Sequence, residues 1–405
     1  MQLVAYGSQD VFLTANPQIT FFKVVYRRYT NFAMEAIEQT FSGTPDFGKK
    51  VSVTISRNGD LIGRMYLQCT LPSVTAASGS SGFGWAPEIG HHLIRSAEVE
   101  IGGQKIDKHY GVWLSIWNSL VLPESQVVGY NSMVGNTSNL VGTTSSPYVV
   151  AADATLAGRA LYIPLQFWFC RNPGLYLPLI ALQYHEVKVN IEFRTFAELH
   201  RGTASATPTL GDTSLFVDYV YLDTDERRRF AQVAHEYLIE QLQFTGEESL
   251  TGLSNKIRLN FNHPVKELVW VVQRDDAVSD TDFINWSNFT DTQASGGDTP
   301  DSTAKLQLNG HDRFSQREGR YFSLVQPYRH HTHTPLTGVH VYSFALKPEE
   351  HQPSGSVNMS RIDNATLQVN LVAGMSGVAS KIHVFALSNN VLRILSGMAG
   401  LAYAS

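Results

Sequence analysis

The 405-residue chain is 43% hydrophobic and 17% charged, with a formal net charge of −5 and a pI near 6.3. That is enough apolar material for packed cores in two or three domains. The acidic balance, with no basic domain, excludes a protein that coats nucleic acid.

At the N-terminus, "MQLVAYGSQDVFL" has neither the basic start nor the long apolar core of a secretory leader, so none is expected. "NPQITFFKVVYRRYTNF", residues 16–32, interleaves Lys23, Arg27 and Arg28 with Phe21, Phe22, Tyr26, Tyr29 and Phe32. Basic residues among aromatics are one signature of single-stranded nucleic-acid binding. Arg27 and Arg28 are neighbours, however, and would leave a strand on opposite faces. Glu35 and Glu38 follow, so the expectation is a strand with one packed and one wet face.

"VSVTISR" alternates Val51, Val53 and Ile55 with polar residues, Asn58-Gly59 marks a turn, and Leu61 to Leu71 resumes an apolar run. "AEVEI" (97–101) turns at Gly102-Gly103 into "QKI". The apolar stretch 161–182 is broken by Arg171-Asn172-Pro173-Gly174, a poor membrane span, and reads as two segments around a turn. "DERRRFAQVAHEYLIEQL" (225–242) lacks Pro and Gly and has a helical opening suited to a connector; its Arg227, Arg228 and Arg229 follow Asp223, Asp225 and Glu226. "SDTDFINW" (279–286) has a plausible helix cap. "AKLQL" (304–308) turns at Asn309-Gly310, and strands are expected at 339–346, 365–371 and 381–387. Loops rich in Gly, Ser and Thr fall at 73–84, 131–146, 201–214 and 291–303.

An internal repeat organises these elements. "AEVEIGGQK" lies over "AKLQLNGHD", "TISRNGDLIGRMYLQ" over "RLNFNHPVKELVWVV", and 161–191 over 341–371, in that order. The first copy carries extra chain, including "YNSMVGNTSNLVGTTSSP", expected as a long loop. Two copies of one unit of about eight strands, joined near 224–236, make the chain all-β, a double jelly roll with few short helices in loops.

Catalytic signatures are missing: there is no nucleophile elbow, zinc-protease helix, phosphate loop or dinucleotide fingerprint. "RHHTHTPLTGVH" places His331 and His333 two apart, as in cupin-type metal sites. Pro335, Leu336 and Thr337 stand where a carboxylate is needed, and Glu349 and Glu350 come only after Pro348. His330 and His340 are read with them as a polar loop or interface cluster, and His91-His92 is a weaker pair. No catalytic residue, metal or cofactor is expected. Cys69 and Cys170 lie far apart in apolar runs, as buried thiols of a reducing compartment do. Of five N-x-[ST] matches, Asn136, Asn285 and Asn288 fall in long loops and are the glycosylation candidates; Asn358 and Asn364 flank a strand and read as structural. Surplus apolar weight at 21–32 and in "NPGLYLPLIALQYHEV" points to an oligomer interface.

"NPQITFFKVVYRRYTNFAMEAIEQTF", "PGLYLPLIALQYHEVKVNIEF", "HEYLIEQLQFTG", "KLQLNGHDRF", "YSFALKPEEHQPSGSVNMSRIDNATL" and "NVLRILSGMAGLAYAS" together resemble the major capsid proteins of nucleocytoplasmic large DNA viruses, nearest the algal phycodnavirus or chlorovirus type. The resemblance runs in order along most of the chain. It implies an N-terminal arm (1–20) beneath a capsomer, a first jelly roll (21–223), a linker (224–236) and a second jelly roll (237–405). Residues 21–41 would enter the first strand with Phe and Tyr packed inward, and Lys23, Arg27 and Arg28 would pair with carboxylates at capsomer contacts. It further implies a homotrimeric, pseudo-hexagonal capsomer in the icosahedral outer shell of the virion, assembled in the host cytoplasm. The implied partners are neighbouring capsomers, minor capsid and penton proteins and an internal membrane, without direct contact to nucleic acid. Loops 73–90, 129–150 and 275–303 would form towers or rims. The alternatives are a minor capsid paralogue and a carbohydrate-binding or cupin-like jelly roll.

Overall fold

The computed structural model describes residues 7–143, 146–280, 282–293 and 296–403. Eight strands build the first unit: Phe32–Gln39 (β1), Lys50–Thr54 (β2), Leu61–Leu71 (β3), Ile94–Ile101 (β4), Gln104–Tyr110 (β5), Arg159–Pro164 (β6), Val187–Phe193 (β7) and Thr213–Leu222 (β8). One antiparallel sheet runs β1-β8-β3, with β6 and the short strand Leu177–Pro178 also on β3; the facing sheet runs β2-β7-β4-β5.

The second unit repeats the plan strand for strand with His235–Leu250 (β9), Ser254–Leu259 (β10), Pro264–Arg274 (β11), Asp301–Leu308 (β12), His311–Asp312 (β13), Val339–Ser343 (β14), Ala365–Leu371 (β15) and Ser380–Leu395 (β16). Its sheets run β9-β16-β11, with β14 and Val357–Asn358 on β11, and β10-β15-β12-β13. The repeat seen in the sequence is therefore a repeat of topology, and the fold is a double jelly roll. The matched turns agree in detail. Gly102-Gly103 and Asn309-Gly310 all have positive φ (59°, 82°, 51° and 80°), the left-handed pair that closes a two-residue hairpin.

Alternation explains the cores. On β7, Val187, Val189, Ile191 and Phe193 face inward, and on β15 Ala365, Leu367, Val369 and Leu371 do the same. Gly63 interrupts β3 because the Tyr176 ring lies against it; a Cβ there would come within 2.5 Å of the ring.

β11 departs from alternation: "VKELVWVVQ" is buried throughout. Val265, Leu268, Trp270 and Val272 pack into the second unit's own core, while Val269 and Val271 pack outward with Val339, Val341, Phe385 and Leu387. What they meet is a helix of the first unit, Gly111–Val121, through Val112, Trp113, Ile116, Trp117 and Leu120. Trp113 stacks on Trp117 (5.6 Å) and touches Phe385 (5.2 Å). A strand covered on both faces reads as a near-continuous apolar run, and the helix covers it with an apolar stripe at helical spacing.

Several expectations are corrected. The extra chain of the first unit is largely helical, Gly111–Val121, Glu124–Val134 and Ser138–Val141, and the first of these fills the space between the units. The helix expected at 279–286 is Asp276–Ser279, followed by turns, with residue 281 outside the described residues. In 225–242, helix Thr224–Gln232 stops before β9, whose first residue His235 lies inside the expected linker. Residues 21–31 form no strand, and their Phe and Tyr side chains do not pack inward. The apolar stretch 161–182 forms β6 and short turns of helix, and no helix among the described residues is long and apolar enough to cross a membrane.

Candidate functional site

The chemistry of this chain gathers at the joint between the two units. There, Arg171 of the first unit and Lys266 of β11 share the carboxylate of Glu240 on β9, at 2.9 Å and 2.6 Å. Lys266 Nζ also donates to the Pro348 carbonyl (2.9 Å) and Arg171 to the Gln166 carbonyl (3.1 Å). The Arg171 guanidinium covers the Trp117 ring at 4.6 Å. Lys266 and Glu240 are buried, so each charge is held by its partners and not by water. Nearby, Asp107 of β5 accepts from the backbone N–H of Lys108 (2.9 Å) and of Leu242 on β9 (3.3 Å), and the Gln241 amide donates to the Ile106 carbonyl. Burial outweighs these bonds and pushes the Asp107 carboxyl up to about 6.

A second cluster surrounds Glu88, which is held in the left-handed region (φ 51°). Its carboxylate contacts His91 Nδ1 (3.0 Å) and accepts from Ser115 Oγ (2.5 Å). Burial alone would raise this carboxyl, but His91, His92 and Ser115 together hold it at about 2. Ser115 Oγ meets Ser287 Oγ of the second unit (3.0 Å), which in turn meets His92 Nε2 (2.8 Å); His91 Nε2 meets Tyr130 Oη (2.7 Å). Ser115 donates its proton to the glutamate, and Ser287 links Ser115 to His92 in one chain of hydrogen bonds. The cluster borders a 160 Å³ cavity and functions as a polar clasp between units.

The histidine run disperses. His330 faces the Leu346 carbonyl, and His333 bridges the Ser119 carbonyl (3.0 Å) and Glu124 (2.7 Å). His340 meets Thr299 Oγ1 (2.7 Å) and stacks on Trp270 (5.5 Å). His331 sits between Glu267 (3.0 Å) and Glu349 (2.8 Å), so the carboxylate missing in sequence arrives through a fold-back of the chain. Burial disfavours its charge, but the two carboxylates prevail and hold the imidazole at about 9. It is an ion-pair centre, and His333 does not join it. Cys69 and Cys170 are buried free thiols, pushed up to about 12 by burial.

The sequon candidates differ. Asn288 is 5% exposed and its amide is fully engaged: it donates to the Thr292 and Gln293 carbonyls and accepts from Thr290. It is not the exposed acceptor expected from its loop, because the amide itself shapes that loop. Asn285 is half-buried and accepts from the Ser287 N–H; Asn136 is half-buried beside the cavity.

Outside the joint, apolar groups face solvent. Phe21, Phe22, Tyr26 and Tyr29 are 88%, 98%, 78% and 82% exposed. Phe32 and Met34 continue this surface along β1, the sheet-edge strand, and Tyr66 stacks on Phe216 (5.2 Å) beside Tyr162 on the outer face of the same sheet. An unpaired edge and an exposed aromatic face are assembly features.

The charged members of the joint escaped sequence reasoning. Their signal was a lysine and glutamates inside apolar strands, "PVKELVWVV" and "YLIEQL".

Comparison with known proteins places this geometry. A family profile described as major capsid protein N-terminus matches residues 20–223, and one described as large eukaryotic DNA virus major capsid protein matches residues 226–400. The major capsid protein of Pyramimonas orientalis virus is 56% identical, covering 100% of this chain and 99% of that one. That of Paramecium bursaria Chlorella virus 1 is 43% identical with the same coverage. Among solved structures, a chain of the PBCV-1 virus capsid superposes with a TM-score of 0.79 at 37% identity, covering 95% of this chain and 100% of that one. The Faustovirus major capsid protein reaches 0.79 at 12% identity, covering 96% and 94%, which is a likeness of fold.

Proposed function

This chain belongs to the family of major capsid proteins of large eukaryotic DNA viruses, and from that premise we propose that three copies associate into a pseudo-hexagonal capsomer. The observation that carries the reading is the duplication with a rigid joint. Two sandwiches of one topology, fused by an apolar core and the Arg171–Glu240 ion pair, let three chains offer six similar walls. Capsomers so formed tile the outer shell of the virion, and the chain acts by assembly and not by turnover.

Further parts of the proposal rest on the resemblance: neighbouring capsomers, minor capsid and penton proteins as partners, an internal membrane beneath, no direct nucleic acid, assembly in the host cytoplasm. The proposed division is an arm through residue 31, two jelly rolls, and a connector that ends where β9 begins. Of the sequons, Asn136 is the proposed glycan acceptor.

Light scattering after size exclusion tests the capsomer. A stable species at three times 44.9 kDa, about 135 kDa, is expected. A monomer persisting at micromolar concentration would overturn it.

A further inference from the structure

Residues 11–34 contain Lys23, Arg27 and Arg28 and no acidic residue. The exposed aromatics Phe21, Phe22, Tyr26 and Tyr29 belong to the same segment. Large rings left in water are costly unless something covers them. The segment leaves the body of the chain at Thr30, on the lip of a groove of about 740 Å³ beside helix Thr224–Gln232 and the start of β9.

That groove has the complementary character. Its apolar floor includes Phe230, Val233 and Tyr237, and its charged lining comprises Asp225, Glu226 and Glu236 against Arg229. Glu236 is paired with Arg393 (2.9 Å), and Arg227 of the same helix is turned away to Asp60 (3.0 Å). Glu226 Oε2 is buried and has no hydrogen-bond partner. A buried carboxylate oxygen without a donor is a position that gains from an incoming cation.

We propose that the arm of one copy lies in this groove of a neighbouring copy, with its aromatics on Phe230, Val233 and Tyr237 and its basic residues facing Asp225 and Glu226. The arm clamps adjacent copies together. Residues 15–31 are not helical and extend to about 55 Å at most, a span that reaches across a neighbouring chain. The connector between the jelly rolls thus doubles as a receptor for the arm. This inference rests on the self-assembly reading above.

Cysteine pairing tests it, because Cys69 and Cys170 are buried and silent. Full-length chains carrying Tyr26→Cys and, separately, Val233→Cys are co-expressed with different tags and mildly oxidised. The expected product is a disulfide-linked pair holding both tags, formed only when both variants are present. Asp225→Lys with Glu226→Lys should cut its yield about tenfold, and adding Lys23→Glu, Arg27→Glu and Arg28→Glu to the Tyr26→Cys chain should restore it. A disulfide closing within a single doubly substituted chain would overturn the proposal in favour of an arm folded back on its own groove. Flotation of the intact protein with vesicles of anionic phospholipid, lost in the triple glutamate variant and with no cross-link, would make the arm a membrane anchor instead. No cross-link in a species of trimer mass would sink the arm contact while the capsomer stands, whereas a monomer without cross-link would sink both.

Discussion

Replacing Glu240 with alanine removes the anion that Arg171 and Lys266 share. Lys266, almost wholly buried, keeps only the Pro348 carbonyl, and Arg171 keeps the Gln166 carbonyl and the face of Trp117. Breaking a buried pair by deleting one partner costs about 3–5 kcal/mol. The loss should not double for two pairs, since the Arg171 side chain retains 17% exposure and its ring contact, so about 4 kcal/mol is expected, most of it from Lys266. Urea unfolding at pH 7, followed by tryptophan fluorescence, measures this directly. The same reasoning predicts that the triple change Arg171→Met, Glu240→Leu, Lys266→Met, which leaves no orphan charge, falls within about 2 kcal/mol of the parent. A Glu240→Ala loss under about 1 kcal/mol, or a triple variant as damaged as the single one, would refute the account of the joint.

Asp107→Asn keeps the acceptor for Lys108 and Leu242 but removes a carboxyl that burial raises to about 6, above its unfolded value of 3.8, so the charged form is penalised above pH 6. The variant should be more stable at pH 8 by up to about 3 kcal/mol, with the gain vanishing as pH falls toward 4, as paired urea titrations would show. His331 has the opposite dependence: its folded value of about 9 exceeds the unfolded 6.5, so its contribution is complete below pH 6.5 and lost as pH rises through 9. His331→Gln should flatten that alkaline loss, about 3 kcal/mol at most, in thermal melts between pH 6 and 10. Trp113→Ala opens the core between the units and should cost about 3–5 kcal/mol in the same urea assay. Asn288→Ala strips a buried amide and should cost about 1–3 kcal/mol without changing the mass of virion-derived protein, whereas Asn136→Ala should leave stability alone and remove any glycan mass.

Strand positions were legible because each sandwich wall has one dry face, so period-2 alternation in "VSVTISR", "AEVEI" and "ATLQVNL" reports burial directly. The repeat was legible through its turns, since Gly102-Gly103 and Asn309-Gly310 answer the same backbone demand. Helix Gly111–Val121 was overlooked although its period is present: Val112, Trp113, Ile116, Trp117 and Leu120 recur at helical spacing with Ser115, Asn118 and Ser119 on another side, but no capping residue marks its start. The arm misled in the opposite sense. Its aromatics look like core residues, but nothing within one chain covers them. The polar joint was missed because the strand order alone brings Glu240 of β9 near Lys266 of β11, and only the packing of one unit on the other adds Arg171.

That joint makes the two units unequal despite their common topology. In the β9-β16-β11 sheet, β11 and most of β16 are buried on both faces, while the corresponding sheet of the first unit, β1-β8-β3, turns Phe32, Met34, Tyr66 and Phe216 outward. The inserted helix Gly111–Val121 of the first copy causes the difference by capping the second unit's sheet and leaving the first unit's equivalent uncovered. The joint is satisfied within one chain, whereas the outer face of β1-β8-β3 and the arm keep large apolar side chains in solvent, which is the asymmetry the proposed self-assembly uses.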